Sequence, residues 1–551
     1  MRANDLHVST NGTPAGPGTM AQPYDLATAL SGQVGQPGDT FWLSGGTYLI
    51  GHINTKIQSA PGQPVTFREA PGEQARVNGS LTFFESAGNI ILRDFELFSS
   101  DTNRVSAQTN VGFNPTDITI IPGISSYSPN MSFINLVVHD ETRHGFYISQ
   151  AGSNNVVYGC VIFNNGWRSP DNAEGHGIYV QGADGNREVK DNLVFNNSGA
   201  DLHIYENNTN YHLAGITLDG NVAFNAGTLQ NVRNYRDILV GVDAPAISAD
   251  RIVFKNNLGY LPPSAGADDA VQIGRDGING GVAILNNYLP QGLEVNNWTI
   301  AAVSGNTVAA QGTNYTVSLN EAQASLSAAW NNNSYWVPPT GGGFLCGTGA
   351  LSLSNTGGLS FSGWQNATGF DENSTSEIGN LGGTRVFIET NQYEAGRANI
   401  TVYNWSNLTN VAVDVSFALT PGAPFEVRNA EDFFAGPVLS GVFSNQLLNL
   451  PMTGLSAAIP NGPMLAPQPT GPTFNVFVLL PRLVRLQALA GNGQVTVSWP
   501  TNAGNWILQS ATNLSAIWAD VTNTPALTGG METVTHAISG NQGFFRLRPA
   551  P

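Results

Sequence analysis

Arg143-His144-Gly145-Phe146-Tyr147-Ile148, then Gly175-His176-Gly177-Ile178-Tyr179-Val180, then Leu202-His203-Ile204-Tyr205-Glu206: one short phrase comes round three times. Each copy is a brief strand-like run with a Tyr near its centre and a His two or three residues before it. Asn-rich spacers follow the first two copies, Phe163-Asn164-Asn165-Gly166 and Phe195-Asn196-Asn197-Ser198. A run this short cannot bury its apolar side alone, and stacking on its neighbours is what buries it. Stacking is expected to put Tyr147, Tyr179 and Tyr205 in one outward column lining a substrate groove, with Phe146, Ile178 and Ile204 turned inward.

Working outward, the small or polar residues at the bends are Asp94, Asn135, Gly159, Asn192, Asn221, Asn257, Asn287 and Asn306. Their spacing is irregular, and the apolar runs between them are short and rich in Val, Ile and Phe, as in Leu193-Val194-Phe195 and Ile252-Val253-Phe254. A helical repeat would hold one period; short β runs, variable spacers and Asn at the bends describe a parallel β-solenoid. Asn accepts the left-handed bend, and its amide can pair with the Asn of the next coil, so these asparagines read as scaffold.

The fold class expected is all-β. A right-handed parallel β-helix with an N-terminal cap spans 1–335, and a Gly/Ser/Asn-rich connector spans 336–383 with Trp364 to Asp371 as its anchor. A β-sandwich follows at 384–482, marked by alternating strands such as Asn399-Ile400-Thr401-Val402-Tyr403, and a last small β-module covers 483–551. Cys160 sits in an apolar run far from Cys346 and reads as a buried free thiol.

The N-terminal segment resembles secreted right-handed parallel β-helix proteins, in particular polysaccharide lyases of the chondroitinase B and pectate lyase type. The residues that carry this are Ser9-Thr10-Asn11-Gly12, Pro37-Gly38-Asp39-Thr40, Gly45-Gly46-Thr47-Tyr48, and Pro61 to Arg68 with Pro71-Gly72-Glu73. The last module resembles the fibronectin type III-like units at the C-termini of secreted bacterial proteins. The resemblance implies an extracellular polysaccharide as partner, an acid–base site on the helix, and often Ca²⁺ as cofactor.

Formal net charge is −17, with 22 Lys+Arg against 39 Asp+Glu. This leaves no basic face for nucleic acid, and an anionic substrate would need a local cluster of cations. No run approaches the roughly 20 apolar residues of a membrane span. No signal peptide opens the chain, which reads as a mature secreted protein and a monomer.

Eliminating a glycosidic bond beside a uronate needs a base and a cation on the carboxylate. Hydrolysis needs two carboxyls about 5–5.5 Å or about 6.5–9.5 Å apart. The repeated phrase and its loops offer Glu174, His176, Tyr179, His203, Tyr205 and Glu206 as catalytic candidates. Arg143, His144, Tyr147, Arg168, Asp171, Lys190, Arg233 and Arg236 are the substrate-binding candidates. Gly175-His176-Gly177 is similar to an element of polygalacturonase-like hydrolases, but that family's Asn-Thr-Asp, Asp-Asp and Arg-Ile-Lys elements are missing. Acidic loops leave Ca²⁺ open, although no Asp-x-Asp-x-Asp run exists, and the histidines lack zinc spacing. The reading is a polysaccharide-cleaving enzyme, lyase before hydrolase, with a non-catalytic glycan-binding adhesin as the rival.

Overall fold

The computed structural model describes residues 3–183, 185–262, 270–311, 315–320, 326–339, 343–347, 358–482, 486–491, 493–500, 506–513, 518–528, 531–537 and 543–549. The chain divides into two compact units, residues 1–383 with 456–470, and residues 384–455 with 471–551.

The first unit is a parallel β-helix with three strands per coil. One coil shows the pattern: Arg187–Lys190 on the first face, Leu193–Phe195 on the second and Leu202–Glu206 on the third. Each strand pairs in parallel with its counterparts in the coils before and after. On the third face the register runs Phe146↔Ile178↔Leu202↔Ile238↔Val271↔Leu293↔Val317↔Phe344, a column of buried side chains filling the interior. Strand side chains alternate faces, so the next position along forms the outward column. That column reads Tyr147↔Tyr179↔His203↔Leu239↔Gln272↔Glu294.

This register corrects one expectation. The three tyrosines do not share a column, because His203 occupies the place beside Tyr179 and Tyr205 lies two residues further along, paired with Gly241. The third copy of the phrase has its His two residues before its Tyr, whereas the others have three. Against the register of the second copy, the Tyr of the third lies two residues further along and its His three.

The bends divide their work between two adjacent residues. Asp94, Asn135, Gly159, Asp191, Gly220, Asn256 and Asn286 have φ between 54° and 70° and turn the chain. A buried asparagine just past the turn carries the ladder, which begins at Asn192 and runs through Asn221, Asn257, Asn287, Asn306 and Asn333. From Asn221 onward, each accepts at Oδ1 from the backbone N–H and the side-chain amide of the asparagine before it. The ladder ends on Asp371, which accepts from Asn333, Tyr335 and Trp364. Parallel pairing continues past 335 through Phe344–Cys346 and Thr375–Ile378. At the other end, a helix at Leu26–Leu30, N-capped by Asp25, buries Leu26, Ala29 and Leu30. Cys160 and Cys346 are buried thiols, not joined in a disulfide.

The second unit is antiparallel. A five-stranded sheet runs in the order Thr384–Thr390, Ala398–Asn404, Phe474–Pro481, Pro424–Asn429, Leu439–Val442, and a two-stranded sheet pairs Asn410–Val413 with Leu448–Pro451. Ile400, Val402, Val411, Val413, Leu450 and Phe477 belong to one core drawn from both sheets, which makes a sandwich. A smaller pair of sheets, of four and three strands, packs around Val497, Trp499, Leu508 and Val534.

Candidate active site

The turn from the second face into the third is where the chain departs from a minimal coil. Trp167–Arg168 pairs antiparallel with Ala173–Glu174, a small hairpin that returns the chain at Gly175. Gly175 has φ 135°, and a Cβ there would lie 2.0 Å from Gly166 Cα, so only glycine closes this return. A Cβ at Gly199 would lie 2.7 Å from His176 Nδ1, so its absence makes room for the ring. Glu174 and His176 are thereby brought over the third face, beside Tyr179 and His203.

The histidines form one cluster. His144 and His176 stack at 5.1 Å with planes 7° apart, His176 and His203 are 3.9 Å apart, and His203 stacks on Tyr205 at 4.7 Å. Their tautomers follow from their partners. The backbone N–H of His176 donates to His144 Nδ1 at 3.0 Å, so the His144 proton is on Nε2, 4.0 Å from Glu174 Oε1. His176 Nδ1 faces the Ala200 carbonyl at 3.2 Å, and a carbonyl only accepts, so Nδ1 carries the proton and Nε2 the lone pair. Burial pushes His176 down to about 3, with Arg143 and Arg233 adding to it. Burial and neighbouring positive groups hold His144 and His203 well below the usual imidazole value too. All three are neutral near pH 7.

Burial raises the Glu174 carboxyl, although Arg143 lies 3.3 Å away and opposes the shift. Tyr179, Tyr205 and Tyr235 are pushed upward by burial as well, and so stay protonated. Tyr205 donates to Asp243 Oδ1 at 2.8 Å, and Tyr235 donates to the Ala173 carbonyl at 2.6 Å.

These groups line a cleft of about 760 Å³. Of the residues expected from sequence, Arg143, Glu174, His176, Tyr179, His203, Tyr205, Arg233 and Arg236 line it. His144 and Tyr147 pack behind, against the rings of His176 and Tyr179. Glu206 is fully buried, its Oε1 accepting from the backbone N–H groups of Asn207 and Asn208 and from Gln150 and Gln181.

Arg168, Asp171 and Lys190 are elsewhere. Arg168 donates to the Pro463 carbonyl, and Asp171 accepts from the Asn110 N–H. Lys190 is on the first face, near Glu188 and Asp219. Tyr235, Asp243, Gln272 and Arg275 line the cleft too, although none is among the candidates from sequence. Gln272 follows His203 and Leu239 in the outward column, so counting from each bend would have reached it.

Four guanidinium groups therefore converge on one cleft of a chain with net charge −17. Arg143 is paired with Glu174 and Arg236 with Glu294; Arg275 stands over the Tyr205 ring at 5.7 Å. Arg233 donates to Asn172 Oδ1 and stands over Phe113 and Tyr235, but makes no ion pair among the described residues. Among those residues, no group of three His, Cys, Asp or Glu side chains gathers to hold a metal.

Residues 95–222, which include the three copies of the phrase, match the family model described as a right-handed β-helix region. The fold is a right-handed parallel β-helix. No curated protein matches the chain. Among solved structures it is similar to the pectate lyase Pel9A, at 16% identity over 60% of this chain and 80% of that one, TM-score 0.35. It is similar also to a GH136 lacto-N-biosidase from Eubacterium ramulus, at 12% identity over 68% of each chain, TM-score 0.41. A third likeness is to a rhamnogalacturonan lyase, at 14% identity over 68% of this chain and 87% of that one, TM-score 0.33.

Proposed function

We propose that this protein cleaves an acidic extracellular polysaccharide by β-elimination in the cleft on the third face. One observation carries the reading: Arg233, a guanidinium without a carboxylate partner among the described residues, lines the same cleft as His176, whose Nε2 holds a lone pair. A uronate carboxylate bound at Arg233 acidifies the adjacent C5–H, and its charge raises the basicity of the imidazole beside it. His176 Nε2 takes the C5 proton, a C4–C5 double bond forms, and the C4–O bond breaks. The leaving oxygen takes the Tyr179 phenol proton and becomes the hydroxyl of the released chain. Proton transfer from His176 back to Tyr179 through solvent restores the site. Arg143, Arg236 and Arg275 bind neighbouring sugars, and the outward rings stack on them.

A second reading rests on Glu174 and Asp243, two carboxyls lining the cleft, of which Glu174 is shifted upward by burial, the direction a general acid needs. The protein then hydrolyses the bond instead. The protein is read as secreted and monomeric, with the sandwich and a fibronectin type III-like end module serving attachment or spacing.

A panel of uronic and neutral polysaccharides tests this, recording ultraviolet absorbance of unsaturated uronate ends together with reducing ends. Both signals are expected from a polyuronate, and a calcium chelator is expected to leave them unchanged. Reducing ends without absorbance select hydrolysis. Neither signal, with binding retained, leaves the protein a glycan-binding adhesin.

A further inference from the structure

Tyr179 is one of four tyrosines in and behind the cleft, and its hydroxyl differs from those of Tyr147, Tyr205 and Tyr235. Those three donate, to Gln181 Oε1, Asp243 Oδ1 and the Ala173 carbonyl. Tyr179 Oη instead accepts, from Gln181 Nε2 at 3.0 Å. Which end of the Gln181 amide faces which partner is fixed by the chemistry of the groups around it.

Glu206 Oε1 lies 3.4 Å from Gln181 Nε2 and is held by the backbone N–H groups of Asn207 at 3.1 Å and Asn208 at 2.9 Å. Backbone N–H groups only donate, so this oxygen is an acceptor and needs the amide nitrogen, not the amide oxygen, opposite it. A flipped Gln181 would set two oxygens against each other. On the other end, Gln181 Oε1 accepts from Tyr147 Oη at 2.6 Å and from Gln150 Nε2 at 3.2 Å. The Glu206 oxygen decides the orientation, and the Tyr147 hydroxyl and the Gln150 amide, each able to donate, are compatible with it.

The geometry points to Gln181 as the positioning residue that makes Tyr179 a proton donor toward the cleft, with buried Glu206 as the anchor that fixes the direction of the amide. With an N–H already aimed at its lone pair, the Tyr179 phenol cannot donate back along that bond, and no described acceptor takes its hydrogen. The hydrogen is left to the bound substrate, whose leaving oxygen needs it. This rests on the elimination reading above, and it gives Glu206, the one carboxyl of the repeated phrase, a role without contact with substrate.

The test uses the full chain and a polyuronate that the wild type cleaves. Gln181→Glu places a carboxylate where the N–H donor stood, so that Tyr179 donates to it and away from the cleft. A fall in kcat of about 10²-fold is expected near pH 8, within the usual range for a general acid, with KM within about 2-fold. Activity is expected to return in part as the pH drops and the new carboxyl takes up a proton and can donate again. In a Tyr179→Phe background, Gln181→Glu is expected to add almost nothing, because one proton path has already been lost.

Gln181→Met, close in size and without a donor, carries the test if the Glu variant does not fold: kcat falls at every pH and KM holds. Wild-type kcat in either folded variant, or additive losses in the double variant, overturns the assignment and leaves the elimination reading standing. A wild type that cleaves no polyuronate overturns both.

Discussion

His144, His176 and His203 are held neutral by burial, which ties stability to pH with a definite sign. Their folded values lie below the ordinary 6.5, so as pH falls below about 6.5 the unfolded chain takes up protons that the folded chain refuses, down to about 3 for His176. Stability is therefore full above about 6.5 and is lost through that window, by up to about 1.4 kcal/mol per pH unit for each imidazole. Glu141, Asp201 and Asp237, raised by burial, act oppositely, losing their contribution as pH rises. A comparison of variants over one window cancels them. His203→Phe suits this, because His203 Nδ1 has no hydrogen-bond partner among the described residues to leave behind. Urea unfolding at about pH 7 and about pH 5 is expected to show a smaller loss for the variant than for the wild type; equal losses would refute the account. These residues were legible in sequence as a cluster, but the Tyr205 and His203 positions were not. Whether a side chain shares a column depends on the strand register, which displaces Tyr205 by two residues, and the phrase itself does not say which residue the neighbouring strand pairs with.

At the scale of the bend, sequence showed that asparagines recur and left their two tasks merged. Asn256 turns the chain at φ 56°, whereas Asn257 joins the ladder, and adjacent identical letters hide the difference. Only burial separates them, since Asn257 is enclosed and Asn256 exposed. Replacing Asn257 by Ala leaves the Asn221 N–H, one Asn221 amide hydrogen and the Leu218 carbonyl without their partner. With each orphaned group worth about 1–3 kcal/mol and part of the loss recovered by relaxation, a cost of about 3–5 kcal/mol is expected. Asn256→Ala meets mainly the left-handed strain, about 1–2 kcal/mol. Denaturant midpoints at unchanged slope measure both, and the idea fails if the two costs are equal or reversed.

At the scale of the molecule, the part hardest to read in sequence is the segment 456–470, which belongs to the β-helix unit although strands of the sandwich flank it in the chain. Its attachments are mostly backbone groups, which leave no pattern in sequence: Asn164 donates to the Ala458 carbonyl, Arg168 to that of Pro463, and Leu465 N–H to that of Leu229. Asn461 adds its own N–H to Asp140 Oδ1 at 2.7 Å and its amide to the Ser99 carbonyl at 2.8 Å. Beneath it lies Arg104, fully buried, paired with Asp140 at 3.0 Å. A buried ion pair keeps its strength only while water stays out, so uncovering it weakens a contact that burial had made strong. A chain ending at Gly383 lacks the segment. It is expected to melt at a lower temperature than the β-helix transition of the full protein, and to be cut sooner by protease between Ser99 and Arg104. Asn461→Gly in the full chain should move both readouts in the same direction by less, since it removes the side-chain bond and leaves the segment in place. Identical melting and cleavage in the fragment and the full chain would show that the segment rests on the coil without holding it.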